Sequence, residues 1–387
     1  MSVVARPWRG IRAFAALAPA WDELARAAGL DPLCNAHAWS EAYARAFATD
    51  ADVFGWSFEQ DGEPLGIVAL RREPARGALS LRRALFLADG TFDSDYLEPP
   101  IRPGSEHALA HAFLEAARQQ RGLEALVLAG IPEGSRFLAA LRAELDERAL
   151  PRREHAVPCL AAPLPDSFDA YLAGLKPRMR SKVRSALRGA EQRGARLAWC
   201  AHEGELEGWL AELYRLHELR WQAEEKGGSF ADPRRRAFYA DFARAALARG
   251  ELCCARLVEP DGAISATQLG QRIGARYYQI QEGFDPAREN ERVGTALRGL
   301  AVAELIARGV RAYDFMAGDS QHKRDWGGAP RPCTTLAFPL PKWRARLAYG
   351  LRARVERWRG ARERTLPAPA TPVDRDPAGA VTVSPGG

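Results

Sequence analysis

The hydrophobic and polar positions of the first 150 residues predict helices followed by strands. Apolar residues recur at helical spacing in 21–28 and again in 39–48, which predicts two helices. Residues 52–60 alternate apolar and polar side chains, an Asp-Gly pair at 61–62 forms a turn, and 64–71 returns as a strand. The pattern therefore predicts a β-hairpin after two helices.

The rest of this half continues to alternate between the two kinds of element. Strands are predicted at 84–88 and 125–129, and helices at 105–120 and 135–148. Strands that alternate with helices are typical of an α/β lobe.

A second lobe is predicted after residues 151–165, where four prolines and few helix formers indicate a crossover. Its predicted helices are 168–175, 178–193, 205–222, 233–249 and 295–308, and its predicted strands are 195–200, 252–258, 264–271, 276–281 and 312–316. An Asp-Gly turn at 261–262 matches the one at 61–62, which favours internal repetition of a whole lobe. Residues 365–387 carry five prolines without apolar periodicity, so we expect them to be disordered.

Composition indicates a globular, basic protein of 387 residues, a length that favours two domains. Hydrophobic residues make up 47% of the chain, charged residues make up 27%, and the formal net charge is +6. The apolar runs are too short to span a bilayer, and the first residues lack a signal-peptide pattern. We expect a cytoplasmic protein, with peripheral association to the inner membrane as an alternative.

The six cysteines do not predict a metal site. None forms a Cys-x-x-Cys pair, and no histidine stands at zinc-finger spacing to them. We expect small buried thiols and no bound metal.

Two stretches supply most of the basic character. Residues 176–196 hold eight Lys and Arg against a single acid, Glu191, and residues 342–364 hold nine against two. In the second stretch Trp343, Leu347 and the apolar residues after them form one stripe of a helix predicted at 341–364. The alternatives are a helix on an anionic membrane surface and a helix docked onto the second lobe. The first stretch predicts a surface for an anionic partner or an ordinary solvated face.

The strongest local signal is the strand, loop and helix of residues 276–308. Gly294 lies directly before the helix that is predicted to begin at Thr295. Unpaired backbone N–H groups and the helix dipole make such a position suitable for a pyrophosphate or similar anion, and Arg288 and Arg292 would add charge. The alternative is that Gly294 only forms a tight turn.

Several stretches occur in the order found in one family. They are 61–66 (DGEPLG), 94–97 (SDYL), 180–184 (RSKVR), 277–286 (YYQIQEGFDP), 294–297 (GTAL) and 313–319 (YDFMAGD), with Lys323 and Trp326 after them. Over residues 15–340 the chain resembles GNAT acetyltransferases of the CelD-like (cellulose and exopolysaccharide biosynthesis) group, which are related in architecture to the Fem-type aminoacyltransferases.

The resemblance implies an α/β (α+β) fold of tandem GNAT-like lobes, each a mixed, mostly antiparallel sheet flanked by helices. The lobes would occupy 1–155 and 156–340, followed by a basic helix at 341–364 and a disordered tail at 365–387.

The resemblance also implies acetyl-CoA or another acyl-CoA as donor, without a metal. The pyrophosphate loop would consist of Arg288, Arg292, Val293, Gly294, Thr295 and Ala296. The motif has Arg or Gln where this chain has Glu291, and a carboxylate facing a pyrophosphate is unfavourable, so Arg288 or Arg292 would have to replace the missing donor.

Acyl transfer needs a base for the acceptor and an acid for the leaving thiolate. Glu282, which ends the strand before the loop, is the predicted base if burial raises its pKa, and a surface strand end otherwise. Tyr278 is a candidate acid or a core residue. Asp314 is predicted to pair with Lys323 and shape the acceptor pocket, with a purely structural pairing as the alternative.

The remaining candidates are residues that would contact the acceptor. They are Asp95 and Tyr96 in the first lobe, and Asp319, His322 and Lys323 in the second. His322 is an acid or base near neutral pH, or else a solvated loop residue.

Together these features predict transfer of an acyl group, acetyl in the simplest case, to an amine or hydroxyl of a sugar or cell-envelope precursor. The partner would be a small-molecule or saccharide acceptor, with tRNA or an anionic membrane as further contacts of the basic helices and no DNA. The alternatives are an aminoacyl-tRNA-dependent ligase of the Fem type and a non-catalytic subunit of a polysaccharide-synthesis complex.

Overall fold

A computed structural model of the chain describes residues 3–73, 80–91, 93–223, 228–345 and 347–348. The first half contains strands β1 (Val3–Arg9), β2 (Val53–Gln60), β3 (Glu63–Arg72), β4 (Arg83–Phe86), β5 (Ala125–Pro132) and β6 (Arg153–Val157), and helices α1 (Ile11–Ala15), α2 (Ala18–Ala28), α3 (His37–Phe47), α4 (Glu106–Gln119) and α5 (Arg136–Glu147).

The second half contains strands β7 (Cys159–Pro163), β8 (Arg196–Trp199), β9 (Leu252–Val258), β10 (Ile264–Ile273), β11 (Arg276–Phe284), β12 (Ala312–Ala317), β13 (Ala329–Pro330) and β14 (Cys333–Pro339). Its helices are α6 (Phe168–Gly174), α7 (Pro177–Arg193), α8 (Glu203–Ala223), α9 (Pro233–Ala248), α10 (Val293–Ala307) and α11 (Gln321–Asp325), with short 3-10 turns at Ser229–Ala231 and Pro286–Glu291. Each helix and strand predicted above between residues 21 and 316 is present, with its ends shifted by a few residues.

The strands form two mixed sheets with the same plan. The first sheet has the order β1-β2-β3-β4-β5-β14-β6, and the second, read in the matching direction, has the order β8-β9-β10-β11-β12-β7-β13. Each contains one parallel pair, β4 with β5 and β11 with β12, among antiparallel neighbours. The Asp-Gly turns close equivalent hairpins, and Asp61 and Gly62 both have positive φ, as a tight hairpin turn requires. The predicted class of two mixed sheets flanked by helices is confirmed.

The sheets divide the chain differently from the predicted boundaries at 155 and 340. The predicted crossover at 151–165 contains two strands, β6 in the first sheet and β7 in the second, on either side of Pro158. Proline cannot donate to a strand ladder, so Pro158 separates two strands that pair in different sheets. After β13 the chain crosses back, and β14 inserts between β5 and β6 of the first sheet. The lobes are therefore joined twice.

One apolar core also runs across the boundary between the lobes. Trp39 of α3 packs edge-on against Phe238 and Phe242 of α9, with ring centroids 4.9 Å and 4.8 Å apart. Its indole N–H donates to Ser94 Oγ at 2.8 Å, so the ring is fixed in orientation as well as buried. The six cysteines are all buried, as predicted, and none is in a disulfide.

A buried polar cluster lies at the second crossing of the chain. Arg331 donates to Asp314 Oδ2 at 2.8 Å and contacts Asp31 Oδ2 at 2.9 Å, and its guanidinium lies 3.9 Å from the centre of the Tyr96 ring. The hydroxyl of Tyr96 donates to Asp314 at 2.9 Å, and that of Tyr278 donates to Asp31 at 3.1 Å. Both carboxylates are almost fully buried. Residues from both lobes thus satisfy one another's charges.

The C-terminal basic stretch is described only at its beginning. Residues 343–345 and 347–348 are helical, and the rest of the helix predicted at 341–364, with the tail at 365–387, lies outside the described residues. Lys342 Nζ donates to the Gln120 carbonyl at 2.8 Å, so the stretch begins against the first lobe rather than the second. None of the described helices combines the length and apolarity needed to cross a membrane.

Replacing Arg331 by Met should lower the free energy of unfolding by about 3 kcal/mol, because Asp31 would remain buried without its cation. Asp314 would keep only Arg276, whose Nη1 lies 3.3 Å from its Oδ2. Urea unfolding followed by tryptophan fluorescence measures this loss. The matched control is Arg311→Met, which removes an exposed ion pair with Asp166 and should cost less than about 1 kcal/mol. Equal losses in the two variants would contradict the assigned role of Arg331.

Candidate functional site

A cleft of about 1440 Å³ opens where the two lobes meet. In the second lobe its walls are formed by one face of α7, parts of α8, α9 and α11, the first turn of α10, β10, β11 and the end of β12 with the following loop. The first lobe contributes the loop of Asp93 and Asp95. Residues of both lobes therefore form it.

One end of the cleft is suited to an anion. Helix α10 begins at Val293, and Ala296 N–H is the first to bond back, to the Arg292 carbonyl at 2.9 Å. The amides of Val293, Gly294 and Thr295 are thus outside the helical ladder, at the positive end of the helix dipole. All three residues line the cleft, together with the Arg292 side chain. Ala296 is buried behind them.

The structure places Arg288 differently from its predicted position in the pyrophosphate loop. Arg288 is absent from the cleft lining and contacts Glu291 at 2.8 Å and Glu259 at 3.3 Å. Arg193 contacts Glu291 at 2.9 Å as well. Hydrogen bonding to Arg288 lowers the pKa of Glu291, and the two arginines neutralise its carboxylate outside the cleft. The unfavourable acid at this position of the motif therefore does not face the cleft.

Cations of α7 continue the anion-binding surface. Arg178, Ser181, Lys182, Ser185 and Arg188 line the cleft at helical spacing, over about 15 Å of helix. In the described part of the chain, no carboxylate pairs with Arg178, Lys182 or Arg188. We call these five residues the basic strip. Its charge is open to an incoming anion.

Glu282 lies in the middle of the cleft between two arginines. Arg298 donates to one carboxylate oxygen, and Arg220 donates to the other at 3.4 Å. Burial alone raises a carboxyl pKa, but these charges outweigh it and lower the pKa of Glu282 to about 2. The expectation that burial raises this pKa is wrong, because the charges of Arg298 and Arg220, which lie on other elements, outweigh the effect of burial.

His322 and Lys323 lie on α11 at the rim of the cleft. His322 Nε2 accepts from Arg298, and burial with the charge of Arg298 lowers the pKa of His322 to about 4, so the ring is neutral near pH 7. Lys323 Nζ donates to the carbonyls of Phe315, at 2.8 Å, and Ala317. The predicted Lys323 pairing with Asp314 is therefore replaced by backbone contacts.

Asp95 is the cleft residue with a pKa raised towards neutrality. Its Oδ2 accepts from the Ala317 N–H at 2.8 Å, a contact between the lobes. Burial raises the pKa of Asp95 to about 6, despite the nearby charge of Lys323. A carboxyl group with such a pKa can gain and lose a proton near neutral pH.

Besides Arg288 and Ala296, four predicted residues lie away from the cleft lining. Tyr278, Tyr96 and Asp314 belong to the buried cluster around Arg331. Asp319 is exposed and forms a bidentate ion pair with Arg324. The alternation of side chains along a strand could not predict these positions, because it does not show which face of the strand the other lobe covers.

Several cleft residues were not predicted. Arg298 is a charge at a core-facing position of α10, which is the signal that could have revealed it. His217 of α8 is buried, and its Nε2 accepts from Trp221 at 2.8 Å. Gln268 of β10 lines the cleft beside Gln279 and carried no sequence signal, because a glutamine in a strand is unremarkable.

Among the described residues, no three His, Cys, Asp or Glu side chains converge in a way that could hold a metal ion.

Comparison with known proteins identifies the type of domain. Residues 177–324 match the family model described as "Acetyltransferase (GNAT) domain". Comparison with curated protein sequences gives no match. Three similar solved structures share the fold at low identity. FemX is 13% identical over 86% of this chain and 97% of its own, with a TM-score of 0.57. A tandem GNAT protein from the clavulanic acid biosynthesis pathway is 16% identical over 88% of this chain and 99% of its own, with a TM-score of 0.51. L-PGS from Bacillus licheniformis is 13% identical over 82% of this chain and 90% of its own, with a TM-score of 0.52. The chain thus contains a GNAT domain in a tandem GNAT-like arrangement.

Replacing Asp95 by Asn should stabilise the protein at pH 8 but not at pH 4. A raised folded-state pKa gives stability that is present below the unfolded value of 3.8 and is lost as the pH rises through about 6. Asparagine keeps the acceptor for Ala317 N–H without that loss, so the variant should gain about 1–3 kcal/mol between these pH values.

Thermal unfolding of both proteins from pH 4 to pH 8 measures the difference. Asp166→Asn, at an exposed carboxylate, is the control that should gain nothing. A constant difference across the pH range would contradict the raised pKa.

Proposed function

We propose that this tandem GNAT protein is an acyl-CoA-dependent acyltransferase of the CelD-like group. It moves a short acyl group from an acyl-CoA to an amine or hydroxyl of a sugar or cell-envelope precursor. The observation that supports this proposal is a single cleft holding both the anion-binding start of α10 and the Asp95 carboxyl group. A GNAT domain alone supports only the coarser statement that the protein is an acyltransferase.

The anion-binding end fits the phosphates of CoA. The amides of Val293, Gly294 and Thr295 suit a pyrophosphate, and Arg292 supplies the charge that the motif has at the position of Glu291. The basic strip on α7 suits a further phosphate group. The carboxylate of Glu291 does not repel the donor phosphates, because Arg288 and Arg193 form ion pairs with it outside the cleft.

Asp95 is the proposed proton acceptor. As the nucleophilic N or O of the acceptor bonds to the thioester carbonyl carbon, its proton passes to Asp95, and the C–S bond breaks to release the thiolate. The thiolate takes up one proton to leave as CoA–SH, and Asp95 returns its proton to solvent. Glu282 cannot accept this proton near neutral pH, since its pKa is about 2. Glu282 instead holds Arg298 and Gln279 in place.

Location and acceptor are proposed mainly from the resemblance. We place the protein in the cytoplasm, at the periphery of the inner membrane. Support for the membrane contact comes from Trp343 and Leu347, which are 76% and 61% exposed and stand four residues apart beside basic neighbours.

A second candidate donor is an aminoacyl-tRNA, as in the Fem-type relatives. The observation in its favour is that exposed Arg184 extends the charge of the basic strip beyond the cleft. A polyanion larger than CoA would use that surface, and its binding would weaken steeply with salt.

Acetyl-CoA should raise the melting temperature of the wild-type protein, and Gly294→Asp should abolish that shift. A carboxylate at Gly294 would stand where the donor phosphates bind, and its Cβ has room beside Phe284 at 3.4 Å. The control, Gly204→Asp, adds the same charge to the first turn of α8, outside the cleft, and should keep the shift.

No shift with acetyl-CoA, together with salt-sensitive tRNA binding that is lost in Arg178→Ala/Lys182→Ala/Arg184→Ala, would favour the second donor. No binding of either would exclude both.

Asp95→Asn should lower kcat by about 10²–10⁴-fold with little change in donor binding, because it removes the proton acceptor. The wild-type pH profile of kcat/KM should rise through pH 6, and that rise should vanish in the variant. Glu282→Gln should keep the rise, since Glu282 stays ionised throughout. A profile that loses its rise only in Glu282→Gln would restore Glu282 as the base.

A further inference from the structure

A buried acceptor without a partner lies in the cleft wall. Gln268 of β10 is 1% exposed, and its Oε1 has no hydrogen-bond donor among the described residues. Buried side-chain oxygens are nearly always satisfied, so an exception in a ligand-sized cleft points to a group supplied by the ligand.

The orientation of this amide follows from the groups that precede it in a chain of hydrogen bonds. Ionised Glu282 can only accept, so the Gln279 Nε2 that contacts it at 2.9 Å is the amide nitrogen. Gln279 Oε1 therefore faces Tyr313, whose hydroxyl donates to it at 2.9 Å.

Because the Tyr313 hydroxyl donates its proton to Gln279, its oxygen can only accept from Gln268. The atom of Gln268 that faces Tyr313 is therefore the donor, Nε2. Each bond in the chain fixes the next, starting from a carboxylate. Gln268 Oε1 is thus left as an acceptor, and turning the amide over would place two acceptors against each other.

The position of Gln268 connects it with the reacting end of the donor. Gln268 stands directly opposite Glu282 in the β10–β11 ladder, so both side chains project from the same face. The parallel pairing of β11 with β12 ends at Tyr278 and Asp314, and beyond this point the two strands separate. Gln268, Gln279 and Glu282 line the cleft beside this wedge.

We propose that Gln268 determines specificity for the acyl group, and that the transferred acyl group is polar, with a hydroxyl or amino N–H that donates to Gln268 Oε1. This inference rests on the proposed function, because it assumes that a thioester donor binds in the cleft. A plain acetyl or aliphatic acyl group would leave the oxygen unpaired, and a site built to hydrogen-bond a ligand group discriminates against analogues that lack it.

The test compares CoA thioesters of matched size on the full-length protein. Hydroxyacetyl-CoA and propionyl-CoA differ only by a hydroxyl in place of a methyl group, and glycyl-CoA tests the amino alternative. By titration calorimetry, hydroxyacetyl-CoA or glycyl-CoA should bind about tenfold more tightly than propionyl-CoA, as expected for one buried hydrogen bond.

Two variants assign the preference to Gln268. Gln268→Leu should bind the three thioesters with equal affinity. Tyr313→Phe should reduce the preference, because the amide of Gln268 is then free to turn over. The control, Gln271→Leu, makes the same change on the same strand outside the cleft, where Gln271 contacts Glu251, and should keep the preference.

The outcomes separate the two proposals. If free CoA binds but the wild-type protein does not distinguish the thioesters, a water molecule satisfies Gln268 and the inference is overturned while the proposed function stands. A preference that survives in Gln268→Leu also overturns it. If neither CoA nor any thioester binds, the proposed function fails, and the inference fails with it. The wild-type comparison decides even if a variant does not fold.

Discussion

The cleft depends on the contact of Arg331 with two buried carboxylates, Asp31 from the first lobe and Asp314 from the second. Charges of this kind are tolerated in a core only when each is paired and hydrogen-bonded, and Tyr96 and Tyr278 complete the set. Because the four partners come from both lobes, the cluster is satisfied in one relative placement of the lobes. That placement brings Asp95 against the Ala317 amide and so forms the cleft.

Charges inside the cleft are distributed unequally. Glu282 is matched by Arg298 and Arg220, whereas the cations of the basic strip have no carboxylate partner in the described residues. The cleft therefore offers positive charge at the start of α10 and along α7, together with a carboxyl group of raised pKa, Asp95. In the proposed acyl transfer, the donor phosphates and the nucleophile therefore bind beside different groups of the cleft.

Much of the fold could be predicted because it follows local rules. The Asp-Gly turns, the helix that follows Gly294 and the strand 276–281 all carry signals within a few residues. Strands β6 and β7 could not be predicted, because four prolines in fifteen residues indicate a loop. These segments form strands because each pairs with strands that are distant in the sequence. The same holds for β14, whose paired residues in β5 and β6 lie between 176 and 214 positions earlier in the sequence.

The sequence by itself determined the two α/β lobes, the anion-binding start of α10 and the basic face of α7, because each depends on spacing along one element. The pKa values of the carboxyl groups in and around the cleft, in contrast, depend on the tertiary structure. Glu282 contacts Arg298, and Glu291 contacts Arg288 and Arg193, whereas Asp95 is desolvated beside the second lobe. The pKa of a carboxyl group depends on burial and on charges within a few ångströms, and those neighbours come from distant parts of the chain.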